Sequence, residues 1–292
     1  MTIKTIGFIG TGVMGASMAA SLLRAGFSLQ IYTRTQAKAA ALLAAGAAWC
    51  TSPRAAAEDA DVVISMLGYP VDVEEIYWGQ AGLLASAKKG AYLVDMTTSS
   101  PLLARKIATV ASPKGLHALD APVSGGDIGA QKGTLSIMVG GEKTAFLELR
   151  PVFEVLGKTI AYFGPAGSGQ YAKMSNQIAI ASNMIGVCEA LAYAKKSGLD
   201  PKLVYQTIAA GAAGSWSLSN LGPRMLSGDY SPGFFIKHFI KDMHLAIDSA
   251  TEMKLELPGL KLAEKLYQQL IADGEGVEDL GTQALIEWYL RQ

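Results

Sequence analysis

Lys173, Asn176 and Gln177 lie three and four residues apart, so on a helix both amides share the lysine's face, one turn on. A lysine ammonium can stabilise negative charge developing on a carbonyl oxygen and also give that oxygen a proton. An amide one turn away can orient the lysine or hydrogen-bond a hydroxyl or carbonyl oxygen of a ligand. Near a helix start the dipole opposes a cation and lowers its pKa, and a partly enclosed cleft acts in the same direction. Taken alone, the lysine also suits a solvent-facing charge, and Gln177 a surface amide. A second cluster is Ser124-Gly125-Gly126, behind Pro122. Two glycines let successive amides turn into a small anion nest, the serine hydroxyl adds a donor, and a small carboxylate is the natural guest. Ser-Gly pairs also simply punctuate loops.

A third group is the run GFIGTGVMGASMAASLLRAGF at residues 7–27. An apolar strand-like segment enters a turn with Gly10, Gly12 and Gly15, and an amphipathic segment follows at once. That context holds a dinucleotide pyrophosphate on a helix N-terminus. Thr11, Val13 and Met14 complete the loop, and Met66 and Leu67, at the end of a later strand, are expected along the same nucleotide. At the end of the second strand Thr33, Arg34 and Thr35 include no acid. Arg34 pairs with a 2′-phosphate there, with the threonine hydroxyls assisting, so NADP(H) is expected over NAD(H), with NAD(H) as second choice. Thr97, Thr98 and Ser99 follow a strand ending at Asp95. Their hydroxyls can meet the nicotinamide ribose or amide, or cap the next helix. Trp216, after the small-residue run GAAGS, either walls a ligand pocket or fills the core. His238, Asp242 and His244 match no standard zinc spacing, and no metal is expected.

These residues need elements to position them. Short apolar runs at Thr5–Ile9, Leu29–Tyr32, Val62–Met66, Tyr92–Asp95, Leu116–Asp120, Leu135–Val139 and Thr159–Phe163 read as strands. Helical patterns at 14–25, 35–45, 53–57, 101–111 and 142–156 alternate with them, which argues a mainly parallel sheet covered on both faces. After Gly164 the run GPAGSGQ reads as a hinge. A long helix then spans 171–197, stopped by Gly198, and helical blocks without strands follow. The expected organisation is α/β: a Rossmann dinucleotide-binding domain at 1–163 and an all-helical domain at 164–292, joined by a long helix and closing a cleft over the carboxyl edge of the sheet.

Lys plus Arg and Asp plus Glu both number 25 in 292 residues, so net charge is zero, and neither nucleic acid nor an acidic membrane is an expected partner. Such neutrality offers little repulsion between copies. Cys50 and Cys188 match no metal or redox spacing and read as core thiols of a reducing compartment. No signal peptide is evident. The apolar stretch 178–187 is too short and polar to span a bilayer, and a cytoplasmic location is expected.

The glycine fingerprint, DAPVSGG at 120–126 and GPAGSGQYAKMSNQ at 164–177 together resemble the β-hydroxyacid dehydrogenase family along essentially the whole chain. The Asn176-Gln177 pair is similar to the branch of that family that reduces tartronate semialdehyde. The resemblance implies Lys173 as the catalytic residue, with Asn176 and Gln177 beside it. It implies Ser124, Gly125 and Gly126 at a substrate carboxylate, Thr98 near the nicotinamide and Lys241 near the cofactor. It further implies a small carboxylate-bearing aldehyde or hydroxy acid as substrate, and a homodimer or homotetramer. Alternatives within this chemistry are succinic semialdehyde, glyoxylate, methylmalonate semialdehyde and 3-hydroxyisobutyrate. An imine reductase is disfavoured by Lys173, and a non-catalytic NADP(H)-binding protein by the intact phosphate, serine and lysine positions.

Overall fold

Apolar strands and amphipathic helices alternate through the first half of the computed structural model, which describes residues 3–292. The strands are β1 (Thr5–Ile9), β2 (Ser28–Tyr32), β3 (Ala48–Trp49), β4 (Val62–Ser65), β5 (Tyr92–Asp95), β6 (His117–Asp120), β7 (Val123–Ser124), β8 (Leu135–Gly141) and β9 (Gly157–Gly164). They form one sheet in the order β3-β2-β1-β4-β5-β6-β8-β7, with β9 paired to β8. Strands β1 to β6 pair in parallel. Strand β8 runs antiparallel to β6 and β7 and parallel to β9. The order 3-2-1-4-5-6 is that of a doubly wound dinucleotide-binding sheet, reversing between β1 and β4.

Strands β4 and β5 are buried at every position. Val62, Ile64, Tyr92 and Val94 enter one core, and the alternate residues Val63 and Leu93 enter another. Burial on both faces is why these strands read as unbroken apolar runs. The helices of this half are α1 (Val13–Arg24), α2 (Ala40–Ala44), α3 (Pro53–Ala57), α4 (Pro70–Tyr77), α5 (Leu83–Ser86), α6 (Pro101–Ala111), α7 (Gly126–Lys132) and α8 (Lys143–Leu156). Strands β3 and β7 and helices α4, α5 and α7 go beyond the sequence expectation. Two-residue strands carry no periodicity, and α7 hides behind Gly126 and Gly129, poor helix formers.

The second half follows as α9 (Ser168–Lys196), α10 (Pro201–Ala209), α11 (Trp216–Ser227), α12 (Ile236–Glu252), α13 (Pro258–Ala272) and α14 (Leu285–Leu290). Among the described residues no strand follows Gly164, and the isolated bridge Phe235–Gly281 is antiparallel. Contacts divide the chain into units 1–173 and 174–292, so the division falls inside α9. In the second unit Ala181, Met184, Cys188 and Leu191 of α9 recur at helical spacing and pack with Phe239 and Met243 of α12 and with Leu266 and Leu270 of α13. Helix α9, with 29 residues, is long and apolar enough by length and composition to cross a membrane, and 44% of its most apolar window is buried. The apolar stretch 178–187 therefore belongs to a longer helix than its own length implied, and much of it is core. Cys188 is buried, but Cys50 is only half-buried just after β3, which corrects the reading of both as core thiols.

Candidate active site

The chain leaves β1 at Gly10, whose φ of +96° suits glycine and whose N–H donates to Tyr32 O at 2.9 Å. Helix α1 follows with no acid in its first turn and no side-chain cap, so no carboxylate of that turn opposes an anion at its first amides and the positive end of its dipole. A Cβ on Gly12 would meet nothing within 4 Å, so space lies open over those amides. A Cβ on Gly15 would stand 1.9 Å from Gly10 O, so only glycine lets α1 come this close. Thr11 is buried, and its hydroxyl oxygen has no hydrogen-bond partner. Met66 O lies 2.2 Å from where a Gly10 Cβ would be, which brings the end of β4 against the loop. Donors, open space and the lack of a competing carboxylate fit a dinucleotide pyrophosphate. Gly12→Ala should therefore keep the melting temperature and lose nucleotide affinity. Gly15→Ala should lose both, with about 1–3 kcal/mol of stability removed by overpacking. Thermal melts and nucleotide titration of the two variants separate these outcomes.

Thr33 is half-buried, while Arg34 and Thr35 are exposed. The strand end has no acid of its own, as the sequence indicates, yet the fold brings one: Arg34 Nη1 lies 3.1 Å from Asp72 Oδ1 of α4.

The carboxyl ends of β5 and β6 carry two buried acids, Asp95 and Asp120, paired in register. Asp95 Oδ1 accepts from Ser65 Oγ at 2.8 Å and from Thr97 N at 3.1 Å. Burial pushes its pKa up to about 6 against those bonds. Asp120 Oδ1 accepts from Gly167 N at 2.7 Å, and its Oδ2 accepts from Gln170 N at 2.8 Å. Burial raises its pKa too, and the backbone amides oppose that rise. Asp120 thus satisfies backbone donors at the start of α9 from across the sheet. The run GPAGSGQ, expected as a hinge, is pinned rather than free. A Cβ on Gly169 would lie 2.3 Å from Met138 O, so the glycines serve close packing.

Gln170, fully buried, ties the same helix to the loop after β5. Its Oε1 accepts from Ser99 N at 2.9 Å, and its Nε2 donates to Thr97 O at 2.8 Å. Thr97 Oγ1 in turn accepts from Leu67 N at 2.9 Å. The loops after β4 and β5 and the first turn of α9 therefore form one hydrogen-bonded body. Thr98 is half-buried between buried Thr97 and Ser99. The α6 cap is Ser100, which accepts from Leu102 N and Leu103 N, so none of Thr97, Thr98 and Ser99 caps that helix.

Lys173 follows within α9. It is 6% exposed, and its Nζ donates to Val123 O at 2.8 Å. Val123 adjoins Ser124, so the lysine and the Ser-Gly-Gly segment are brought together. Gly125 and Gly126 have φ of +130° and +63° and lead into α7.

In the second unit, Gln177 Nε2 donates to Asp242 Oδ2 at 2.6 Å, and Gln177 Oε1 accepts from Asn176 Nδ2 at 2.7 Å. Lys241 Nζ lies 2.8 Å from Asp242 Oδ1. Asp242, 1% exposed, thereby gathers Gln177 and Lys241 and, through Gln177, Asn176. Its adjacency to Lys241 was the only sequence signal for this. Asp72, Asp95 and Asp120 also went unassigned, although two of them end strands, and nothing local marks Gln170. Trp216 is 65% exposed as the first residue of α11, so it does not fill the core.

Two outcomes follow from these contacts. Gln170→Ala strands a buried amide and a buried carbonyl. It should remove about 2 kcal/mol or more of stability and speed hydrogen exchange at residues 97–102. Asp95 has a folded pKa near 6, above its ordinary value near 4, so the folded state holds the proton more tightly. Its contribution to stability is fully present below about pH 4 and is lost as pH rises to about 6. Asp95→Asn has no such loss, so its melting temperature relative to the parent should climb between those pH values.

Residues 5–164 match the family described as the NAD binding domain of 6-phosphogluconate dehydrogenase. Residues 167–289 match that described as NAD-binding of NADP-dependent 3-hydroxyisobutyrate dehydrogenase. An uncharacterized oxidoreductase of Bacillus subtilis is 58% identical over 288 residues, 99% of each chain. The 2-hydroxy-3-oxopropionate reductase of Escherichia coli is 41% identical over 269 residues, 92% of each. The solved structure of Mycobacterium tuberculosis 3-hydroxyisobutyrate dehydrogenase with L-serine superposes with a TM-score of 0.89 at 33% identity, covering 98% of this chain and 99% of that one. The chain belongs to the β-hydroxyacid dehydrogenase family of NAD(P)-dependent oxidoreductases.

Proposed function

We propose that this protein reduces a small aldehyde acid to the hydroxy acid with NADPH, and that the substrate is tartronate semialdehyde, giving glycerate. The observation that carries the chemistry is the buried Lys173 ammonium, 2.8 Å from Val123 O and next to Ser124. The substrate assignment is supported by 41% identity to the 2-hydroxy-3-oxopropionate reductase along nearly the full chain.

When bound, the reduced nicotinamide supplies a hydride to the aldehyde carbon. Lys173 stabilises the charge that develops on the oxygen and gives that oxygen its proton; in oxidation the neutral amine takes it back. The Ser124 hydroxyl and the amides of Gly125 and Gly126 hold the substrate carboxylate. Gln177 has its amide engaged at both ends, by Asp242 and by Asn176, so it orients Asn176, and half-exposed Asn176 meets a polar substituent of the substrate. Exposed Trp216 is a wall for the substrate. Gly10, Thr11, Gly12, Val13, Met14 and Gly15 hold the pyrophosphate, with Met66 and Leu67 alongside. Arg34, Thr33 and Thr35 hold the 2′-phosphate, and Thr98 and Lys241 face the nicotinamide half.

In this reading residues 1–163 carry the nucleotide, and residues 164–292 complete the enzyme and associate as a homodimer or homotetramer in the cytoplasm. Exposed Tyr193, Leu199 and Leu203 on the helical half support self-association. A second reading, oxidation of 3-hydroxyisobutyrate or a related hydroxy acid, is supported by the likeness to the Mycobacterium tuberculosis enzyme.

The test follows NADPH consumption with tartronate semialdehyde, succinic semialdehyde, glyoxylate and methylmalonate semialdehyde, repeated with NADH. The highest kcat/KM is expected for tartronate semialdehyde with NADPH. Preference for another aldehyde moves the substrate and keeps the chemistry. NADPH binding with no turnover on any acid, in either direction, defeats the enzymatic proposal. Lys173→Ala should lower kcat by about a hundredfold or more while nucleotide binding persists; unchanged turnover in that variant defeats the mechanism.

A further inference from the structure

An acid at the end of the second strand favours the ribose 2′-hydroxyl of NAD, and an arginine there favours the 2′-phosphate of NADP. Here the fold sets both groups against each other. Arg34, just past β2, places Nη1 3.1 Å from Asp72 Oδ1. The two partners are not equal. The arginine side chain is 75% exposed, whereas that of Asp72 is 13% exposed. Asp72 is also fastened by its other oxygen, which accepts from Tyr69 N at 3.1 Å in the first turn of α4. The carboxylate is the shielded, doubly engaged member, and the guanidinium is the solvent-facing one. One acid thereby neutralises two positive features, the guanidinium and the start of the α4 dipole.

We propose that Asp72 is a specificity-determining residue that holds down the preference for NADP. This rests on the reading that Arg34 faces the 2′ position of the adenosine ribose. In the free protein Asp72 engages part of the Arg34 donor fork, so a 2′-phosphate must share or displace that contact. A phosphate bound to Arg34 also lies close to a fixed like charge, and the two repel. The neutral 2′-hydroxyl of NAD meets neither opposition. Arg34 by itself indicates a strict NADP enzyme; the Arg34–Asp72 pair makes a lenient one.

The experiment measures dissociation constants of NADP+ and NAD+ by calorimetry for the full chain, for Asp72→Asn, for Arg34→Ala and for the double variant. Asparagine keeps an oxygen for the Tyr69 N–H and removes the charge, and a thermal melt verifies that the fold persists. The NADP+/NAD+ affinity ratio is expected to rise about three- to tenfold in Asp72→Asn at about 50 mM salt, and that gain is expected to shrink at about 1 M as screening shortens its range. The double variant should show none of the gain, because the effect acts on a phosphate held by Arg34. A ratio that stays level in Asp72→Asn overturns the proposal. A ratio that falls overturns it too, since the carboxylate would then be orienting Arg34 for the phosphate. Arg34→Ala separates the two layers of the argument. If it weakens NADP+ while Asp72→Asn changes nothing, only the Asp72 proposal fails. If it leaves NADP+ binding intact, the Arg34 reading fails and the proposal with it.

Discussion

The carboxylate of Asp120 at the end of β6 holds the beginning of α9 in place. Two backbone amides, at Gly167 and Gln170, donate to its two oxygens at 2.7 and 2.8 Å. A buried carboxylate without such donors would be strongly unfavourable, and a helix start without an acceptor would leave amides unpaired. Each group solves the other's problem. The contact requires backbone at van der Waals range, and Gly140 and Gly169 supply it: a Cβ on Gly140 would lie 2.7 Å from Asp120 Oδ1. Lys173 sits one turn further along the same helix and reaches Val123 O from there. Its position is a consequence of the Asp120 clamp.

The remaining polar groups at this edge of the sheet extend the same body. Gln170 spans to Ser99 N and Thr97 O, Thr97 spans to Leu67 N, and Asp95 collects Ser65 and the Thr97 amide. Parallel strands end on one edge, so loops far apart in sequence arrive side by side with unsatisfied backbone groups. Buried side chains that both donate and accept close those gaps. What results is a hydrogen-bonded rim that joins the loop after β4, the hydroxyl loop after β5 and the helix that carries Lys173.

A carboxylate that organises polar neighbours recurs at two other places with different consequences. Asp242 draws Gln177 and Lys241 together in the helical unit, and Gln177 in turn holds Asn176. Asp72 draws Arg34, whose guanidinium faces solvent, where an ion pair is weak. Burial makes the difference. At Asp242 the interaction is shielded from water and fixes geometry, whereas at Asp72 it tunes charge.

Much of this was legible in the residues. Gly10 and Gly15 between a strand and a helix marked the tight turn from β1 into α1, because the positive φ of Gly10 and the close approach at Gly15 are local requirements that only glycine meets. The unbroken apolar runs at 62–66 and 92–95 marked a two-sided parallel sheet, and the switch to helical texture after Gly164 marked the second half. Lys173 and the two amides after it could be grouped because helical spacing is a property of adjacent residues. The tertiary structure decided which acids matter. Asp120 lies 47 residues from Gly167, and Gln170 lies 73 from Thr97. Asp72 comes to Arg34 from α4, two strands further along the chain. Such pairs have no period and no motif, since they depend on which strands become neighbours and how far each helix start is carried over the sheet edge. Local chemistry wrote the glycine turn from β1 into α1 into the sequence, while the long-range polar contacts that hold Lys173 and restrain Arg34 exist only once the sheet has its order.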